Sequence, residues 1–180
     1  FRHPVFTAGA GIDYIWQIDS DSYLTAEVDI DPFREMHEQD VVYAWAAVGV
    51  EMLPHVQDLG QHALVYMADK GIDWEGTALR RDLFPGGYFT GTVYMTNSEW
   101  LRVAWFAAPP YQRFFEYLDG LQGFWLHRWG DMAVRTLGVA LFTEDGQVGR
   151  LLVPHGHQQV CFCGHRPGLR CMRTEDRAPT

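Results

Sequence analysis

The stretch IDYIWQIDSD at residues 12–21 constrains the fold more than any other part of the sequence. Its first half is dense in aromatic and β-branched residues, which favour a buried strand. Alternation puts side chains on two faces: Tyr14, Trp16 and Ile18 on one, Ile15 and Gln17 on the other. The character then changes abruptly to Asp19-Ser20-Asp21. The sequence therefore predicts a strand that ends in two carboxylates at the edge of a sheet.

Those two carboxylates have two interpretations. In open α/β sheets, ligands collect outside the carboxyl ends of the strands. Paired carboxylates there suit a Mg²⁺ or Mn²⁺ ion that carries phosphates. Asp and Ser are also ordinary turn residues, so a plain polar turn explains the same pattern. Asp19 and Asp21 alone leave both interpretations open.

Strand and helix patterns alternate along the 180 residues, which indicates the α/β class. Strands are predicted at residues 12–18, 25–30, 41–50, 88–95 and 148–153. Helices are predicted at 31–39, 53–67 and 96–106, and two more begin at Pro109 and Asp131. We expect one domain over residues 1–180, with an α/β core at 1–153 and a His/Cys-rich, loop-like tail at 154–180.

Composition restricts the possible classes of protein. The chain is 47% hydrophobic and contains seven Trp, which is typical of a globular domain. A net charge of −9 argues against a general surface for nucleic acid or anionic membranes. No apolar run approaches the roughly 20 residues of a membrane span. The chain begins at Phe1 without a Met, and we expect it to be part of a longer protein.

Four acidic residues stand where a predicted strand stops or a helix starts: Asp19, Asp21, Glu99 and Asp131. Each of the last two also has a structural interpretation. Glu99 would complement the positive end of a helix. Asp131 would cap its helix and pair with a basic residue, Arg135, one turn later. These local patterns do not choose between chemistry and helix capping.

Four motifs in order resemble a known family. They are Phe1-Arg2-His3-Pro4, the strand ending in Asp19-Ser20-Asp21, Thr96-Asn97-Ser98-Glu99, and the stretch 122–135 that contains Arg128-Trp129-Gly130-Asp131. The family's counterparts are Phe-x-His-Pro, Tyr-x-Trp ending in Glu-Pro-Asp, Ser-Asn-Phe-Glu and Gly-Gly-Phe-Phe-x-x-Arg-Trp-Gly-Asp-Ala-Pro-Val-His. From Phe1 to about Cys161, the chain resembles a divergent C-terminal part of the catalytic domain of fungal-type α-1,2-mannosyltransferases. These are retaining enzymes of the secretory pathway that use GDP-mannose.

The resemblance implies a GT-A-like fold, with a mixed sheet flanked by helices and the N-terminal part of the domain missing. It implies Mn²⁺ as cofactor, GDP-mannose as donor and a mannoside or other glycan as acceptor in protein glycosylation, with transfer under retention of configuration. It also implies a Golgi or secretory-pathway lumen and a type II membrane protein whose anchor lies outside this chain. The sequence carries no signal for an oligomeric state.

The resemblance also assigns roles to residues. Asp19 and Asp21 would bind the metal and the donor, and Arg128 would contact the donor. Glu99 matches the family's proposed nucleophile, and Asp131 matches an active-site residue close to the acceptor.

Two departures from the family pattern concern the metal ligands. Asp19-Ser20-Asp21 replaces Glu-Pro-Asp, so the first carboxylate reaches about one methylene less. The family's late metal-binding His aligns with Gln159, and a shift of one register brings His155 or His157 into its place. We expect His157 to be the third ligand.

Other classes of function stay open. The residues His155, His157, Cys161, Cys163, His165 and Cys171 would suit a zinc-stabilised interaction domain. A disulfide from Cys171 to Cys161 or Cys163 is the alternative for a secretory protein. A non-catalytic relative that binds a sugar or a nucleotide is a further possibility. Trp125 and Trp129 would then stack on sugar rings or pack in the core.

Overall fold

The computed structural model describes residues 11–157 and the backbone of residues 160–162. The strands in this range are β1 (Tyr14–Ile18), β2 (Ser22–Leu24), β3 (Tyr43–Trp45), β4 (Val48–Val50), β5 (Thr92–Tyr94), β6 (Ser98–Arg102), β7 (Val148–Arg150), β8 (His155–His157) and β9 (Val160–Phe162). The helices are α1 (Pro32–Glu38), α2 (Leu59–Lys70), α3 (Ala78–Leu83), α4 (Val103–Phe106), α5 (Pro109–Gly120), α6 (Gly123–Leu126) and α7 (Asp131–Phe142), with 3₁₀ turns at Leu53–Val56 and Pro85–Gly87.

A four-stranded mixed sheet with the order β1-β6-β3-β7 forms the centre of the fold. Strands β3 and β7 run parallel, and the other two neighbouring pairs are antiparallel. One face packs with α1 through a cluster that includes Met36, Ala44 and Trp100. The other face packs with α5 and α7 through a cluster that includes Tyr111 and Val139. The fold is thus the mixed sheet flanked by helices that was expected from the sequence.

Strand β6 lies where the sequence pattern predicted the start of a helix, so that prediction was wrong. The polar run Thr96-Asn97-Ser98 has the composition of a helix cap, but β6 pairs with both β1 and β3. The chain continues through Glu99, Trp100 and Leu101, all of which are buried. A central strand needs both faces apolar or paired, and tertiary pairing outweighs the local capping signal. The chain becomes helical only at α4.

Three further segments differ from their predicted structure. Residues 25–30 do not form the predicted strand, and the short strand β2 ends just before them at Leu24. The apolar run 41–50 is split into β3 and β4, because Ala46 and Ala47 hydrogen-bond to Ser98 and Met95 and lead the chain from one sheet to another. The start of the predicted loop-like tail forms β8, which pairs with β2. Short strands of three residues carry little periodicity, so their partners determine them.

Helix α7 begins at Asp131 as predicted and is buried along most of its length. It crosses α5 closely at Gly138, where an added Cβ would lie 2.6 Å from the ring of Tyr111. Among the described residues, the helices are too short or too polar to cross a membrane.

We expect Gly138→Ala to lower the free energy of unfolding by about 1–3 kcal/mol, because the methyl group forces α5 and α7 apart. Gly120→Ala is the matched control, since nothing lies within 4 Å of the Cβ it would add. Ala is the better helix former, so the control should be neutral or up to about 1 kcal/mol more stable. Urea unfolding followed by circular dichroism measures both. Equal stabilities would contradict the close packing of the two helices.

Candidate metal centre and adjoining pocket

Asp19 and Asp21 follow β1 directly, and His157 is the last residue of β8. The antiparallel pairing of β2 with β8 places Ser22 opposite His157 and so brings the histidine to the end of β1. One ligand atom from each of Asp19, Asp21 and His157 lies within 4.8 Å of the others. The structure thus brings together the three residues that were predicted from the sequence as metal ligands.

The donor set fits a hard or borderline divalent cation. Carboxylate oxygens and imidazole nitrogen are ligands that Mn²⁺ accepts. The Nδ1 atom of His157 lies 3.0 Å from the hydroxyl of Ser22 and 3.2 Å from a carboxylate oxygen of Asp21. These distances show that Nδ1 is the nitrogen of His157 that faces the carboxylate of Asp21.

The electrostatics around Asp19 favour a bound cation. Partial burial raises the pKa of Asp19, His157 acts in the opposite direction, and the carboxylates Asp131 and Asp21 raise it further. Asp131 is therefore near the cluster, although it comes from a different element. A divalent cation would offset the repulsion among these three carboxylates.

Glu99 lies on β6 opposite Gln17 of β1 and is fully buried. One carboxylate oxygen forms an ion pair with Arg135 of α7, and the other accepts a hydrogen bond of 2.8 Å from the hydroxyl of Tyr43. Burial raises the pKa of Tyr43, so that side chain stays a donor. Both oxygens of Glu99 are thus held by fixed partners.

Arg135 links Glu99 to the metal cluster. Its side chain is 12% exposed, and its guanidinium also donates to the side-chain oxygen of Gln17 at 3.4 Å. Burial lowers the pKa of Arg135, and the charges of Tyr43 and Asp19 oppose that shift. A guanidinium stays protonated in proteins, so Arg135 is a fixed cation between the two acidic groups.

A pocket of about 430 Å³ opens beside this cation. Its polar wall includes Asp131 and Arg135, and its apolar wall includes the aromatic rings of Tyr111, Phe115 and Phe124. Aromatic faces next to a few polar groups are typical of small-ligand sites, and they also suit the apolar faces of sugar rings.

The other predicted site residues are Arg128, Trp129 and Trp125, and they differ in position. Arg128 is exposed between α6 and α7 with a φ of 57°, and no contact within the described part of the chain joins it to the metal cluster. Trp129 is 4% exposed and donates its indole N–H to the carbonyl of Gln57, and its side chain also lines the pocket. Trp125 is 83% exposed.

Several predictions from the sequence fall outside the described residues. They concern the motif at residues 1–4, Gln159, Cys163, His165 and Cys171, and the side chain of Cys161. The zinc and disulfide alternatives depend on these residues and stay predictions.

Sequence reasoning did not find the roles of Tyr43 and Arg135. Tyr43 looked like an ordinary residue of an apolar strand, and Arg135 was interpreted as a partner of Asp131. The one available signal was that Arg135 stands where the family motif ends in His.

Solved structures share this fold. The chain aligns with core-mannan synthase A from Aspergillus fumigatus, in a form with Mn and GDP, at a TM-score of 0.80 and 19% identity, covering 97% of this chain and 51% of that one. It aligns with the mannosyltransferase Ktr4p from Saccharomyces cerevisiae in complex with GDP at a TM-score of 0.77 and 20% identity, covering 94% and 46%. The fold is therefore α/β of the GT-A-like type.

Sequence comparison identifies the family. The chain matches the glycolipid 2-alpha-mannosyltransferase family over residues 6–175, and it belongs to that family. A probable mannosyltransferase, MNT3 of Candida albicans, is 26% identical over 163 residues, which is 91% of this chain and 41% of the relative. The alpha-1,2 mannosyltransferase KTR1 of Saccharomyces cerevisiae is 27% identical over 150 residues, or 82% and 37%. The chain spans less than half of the length of these two relatives.

Proposed function

We propose that the protein containing this chain transfers a mannosyl residue from GDP-mannose to a mannoside or other glycan acceptor, with retention of configuration. The observation that carries the proposal is the convergence of Asp19, Asp21 and His157 into one cluster, beside the buried Glu99 and an aromatic pocket. Family membership and the α-1,2-mannosyltransferase relatives support the choice of donor sugar.

The cluster Asp19, Asp21 and His157 would hold Mn²⁺. When bound, the ion would act as a Lewis acid that neutralises the departing diphosphate. A solved structure of similar fold in a form with Mn and GDP supports this choice of ion. We place Arg128 at the donor, where its guanidinium suits a phosphate oxygen.

The remaining acidic residues would act on the sugars. Retaining sugar enzymes place a carboxylate against the oxocarbenium-like centre, and we assign that task to Glu99. Asp131 lines the aromatic pocket, where it would accept a hydrogen bond from the acceptor hydroxyl and orient it. The departing phosphate would take the proton of that hydroxyl.

We further propose that the protein works in the lumen of the secretory pathway, in the Golgi, as a type II membrane protein anchored by a segment outside this chain. The acceptor would then be a glycan on a protein. Kinship with fungal mannosyltransferases supports this location.

A transfer assay on the intact protein tests the proposed activity. With GDP-mannose, Mn²⁺ and an α-mannoside acceptor, we expect a product longer by one mannose that an α-1,2-specific mannosidase cleaves. Removing the metal with EDTA should abolish product formation, and adding Mn²⁺ back should restore it. Binding of GDP that requires Mn²⁺ without any sugar transfer would instead support the non-catalytic relative.

A further inference from the structure

We infer that Arg135 is a positioning residue that keeps Glu99 anionic and fixes its carboxylate for the transfer step. This inference rests on the proposed function, because it assigns the role of a residue that acts through Glu99. It concerns a position at which this chain carries Arg and the family motif ends in His.

The first step of the argument is the burial of Glu99. Its side chain is 0% exposed, and a buried carboxylate without a partner becomes protonated instead of remaining charged. Tyr43 supplies a neutral hydroxyl donor. Arg135 supplies a full positive charge in an ion pair with this carboxylate. It is therefore the group that stabilises the ionised form of Glu99.

The second step is geometric. Glu99 comes from β6 and Arg135 from α7, and the guanidinium also contacts Gln17 on β1. A planar guanidinium with donors in fixed directions holds a carboxylate in one orientation. From its position on α7, Arg135 therefore contacts two strands of the sheet, and it also lines the pocket.

The third step concerns the other charged groups that face Arg135. Tyr43 on β3 and Asp19 after β1 both interact with it electrostatically, and Asp131 stands one turn earlier on the same helix. Glu99 is in direct ion-pair contact with the guanidinium. A carboxylate that must stabilise positive charge on a sugar is useful only when it is ionised, and Arg135 secures that state.

A double-mutant cycle on the intact protein tests the inference. Arg135→Met removes the charge at similar volume, and we expect kcat for mannose transfer to fall about 100-fold or more, with the KM for GDP-mannose changed less than about threefold. Glu99→Gln alone should abolish most transfer. In the Glu99→Gln background, Arg135→Met should cost less than about threefold more, because residues that act as a unit are not additive.

The dependence of kcat on pH in two conservative variants, Arg135→Lys and Arg135→His, tests the role of the charge. A purely structural role of Arg135 would not change this dependence. Arg135→Lys should keep kcat within about tenfold of wild type between about pH 5 and 8, since the amine remains charged. Arg135→His should be active at low pH and should lose about tenfold per pH unit above its pKa, which is about 6.5 in its ordinary state. The wild-type protein should show no such loss of rate as the pH rises.

Folding is controlled separately. Arg135→Met leaves Glu99 buried without its cation and risks unfolding, so circular dichroism and binding of GDP with Mn²⁺ are measured on each variant. The double variant, Glu99→Gln with Arg135→Met, removes both charges and should be more stable than Arg135→Met alone. If Arg135→Met does not fold, the His and Lys variants still decide the question.

Three results would overturn the inference. The first is that the losses of kcat multiply in the double variant and that GDP also binds more weakly. This result would place Arg135 in contact with the donor itself. The second is an Arg135→His variant whose rate does not depend on pH. The third is a wild-type protein without transfer activity, which would contradict the proposed function and remove the basis for this role as well.

Discussion

Glu99→Gln is expected to reduce mannose transfer by about 10³-fold or more, while GDP still binds with Mn²⁺ at close to its normal affinity. Gln has nearly the same shape as Glu but no charge, so it cannot stabilise the positive character of the sugar centre. A loss of about 10³-fold corresponds to about 4 kcal/mol of transition-state stabilisation. Glu99 is not among the residues of the metal cluster, which is why nucleotide binding should survive.

Initial rates of transfer and calorimetric binding of GDP with Mn²⁺ measure this prediction. Glu38→Gln is the matched control, because it makes the same chemical change at an exposed site on α1. The amide introduced by Glu99→Gln would still face the Arg135 cation, and removing one partner of a buried ion pair destabilises proteins by about 3–5 kcal/mol when nothing replaces it. Unfolding curves therefore establish that the variant is folded at the assay temperature. Transfer at the normal rate by a folded Glu99→Gln protein would rule out the proposed role.

The central strand at Glu99 shows where sequence reasoning failed and why. Thr96, Asn97 and Ser98 have side chains that cap helices, and a local pattern cannot reveal that the residues after them pair with strands about 55 and 80 positions earlier in the chain. The motif nevertheless identified Glu99 as a candidate, because resemblance in sequence does not depend on the predicted secondary structure. An error in the predicted secondary structure therefore does not affect the choice of Glu99 as a candidate.

The end of β1 shows what sequence can provide. Alternation at Tyr14 to Ile18 followed by two Asp residues predicted the strand and the carboxylates after it. The strand was expected to be buried, whereas β1 is a half-buried edge strand. The third candidate ligand needed a choice between His155 and His157. In the structure, His155 is fully buried with Nδ1 3.2 Å from the carbonyl of Val153, and His157 reaches Asp21. The pairing of β8 with β2 determines which of the two histidines faces the cluster, and three residues of sequence do not reveal that pairing.

The ion pair between Glu99 and Arg135 could not be predicted from spacing. On a helix, Asp131 and Arg135 are in the arrangement that favours a local pair. Burial changes the preference, because a cation inside the protein is stabilised most by the carboxylate that is also removed from water. Which carboxylate pairs with Arg135 depends on the packing of α7 against the sheet, and a local sequence pattern does not contain that information.

The second large effect is expected at the metal cluster. Asp19→Asn combined with Asp21→Asn should remove Mn²⁺-dependent binding of GDP to within the limit of detection and abolish transfer. Amides are weaker ligands for Mn²⁺ than carboxylates, and the double change removes two of the three candidate ligands. A loss of at least about 100-fold in affinity corresponds to about 2.7 kcal/mol or more.

Titration of Mn²⁺ by electron paramagnetic resonance, with and without GDP, measures the loss directly and does not depend on activity. Asp58→Asn is the matched control: Asp58 is exposed, has a φ of 59° and makes no side-chain cap, and Asn tolerates that left-handed conformation. The fold should not suffer in the double variant, because the neutral residues relieve the repulsion that Asp21 and Asp131 exert on Asp19. We therefore expect its unfolding midpoint in the absence of metal to equal or exceed that of wild type. Unchanged Mn²⁺ binding would contradict this metal site, whereas lost binding together with lost stability would assign the two carboxylates a structural role.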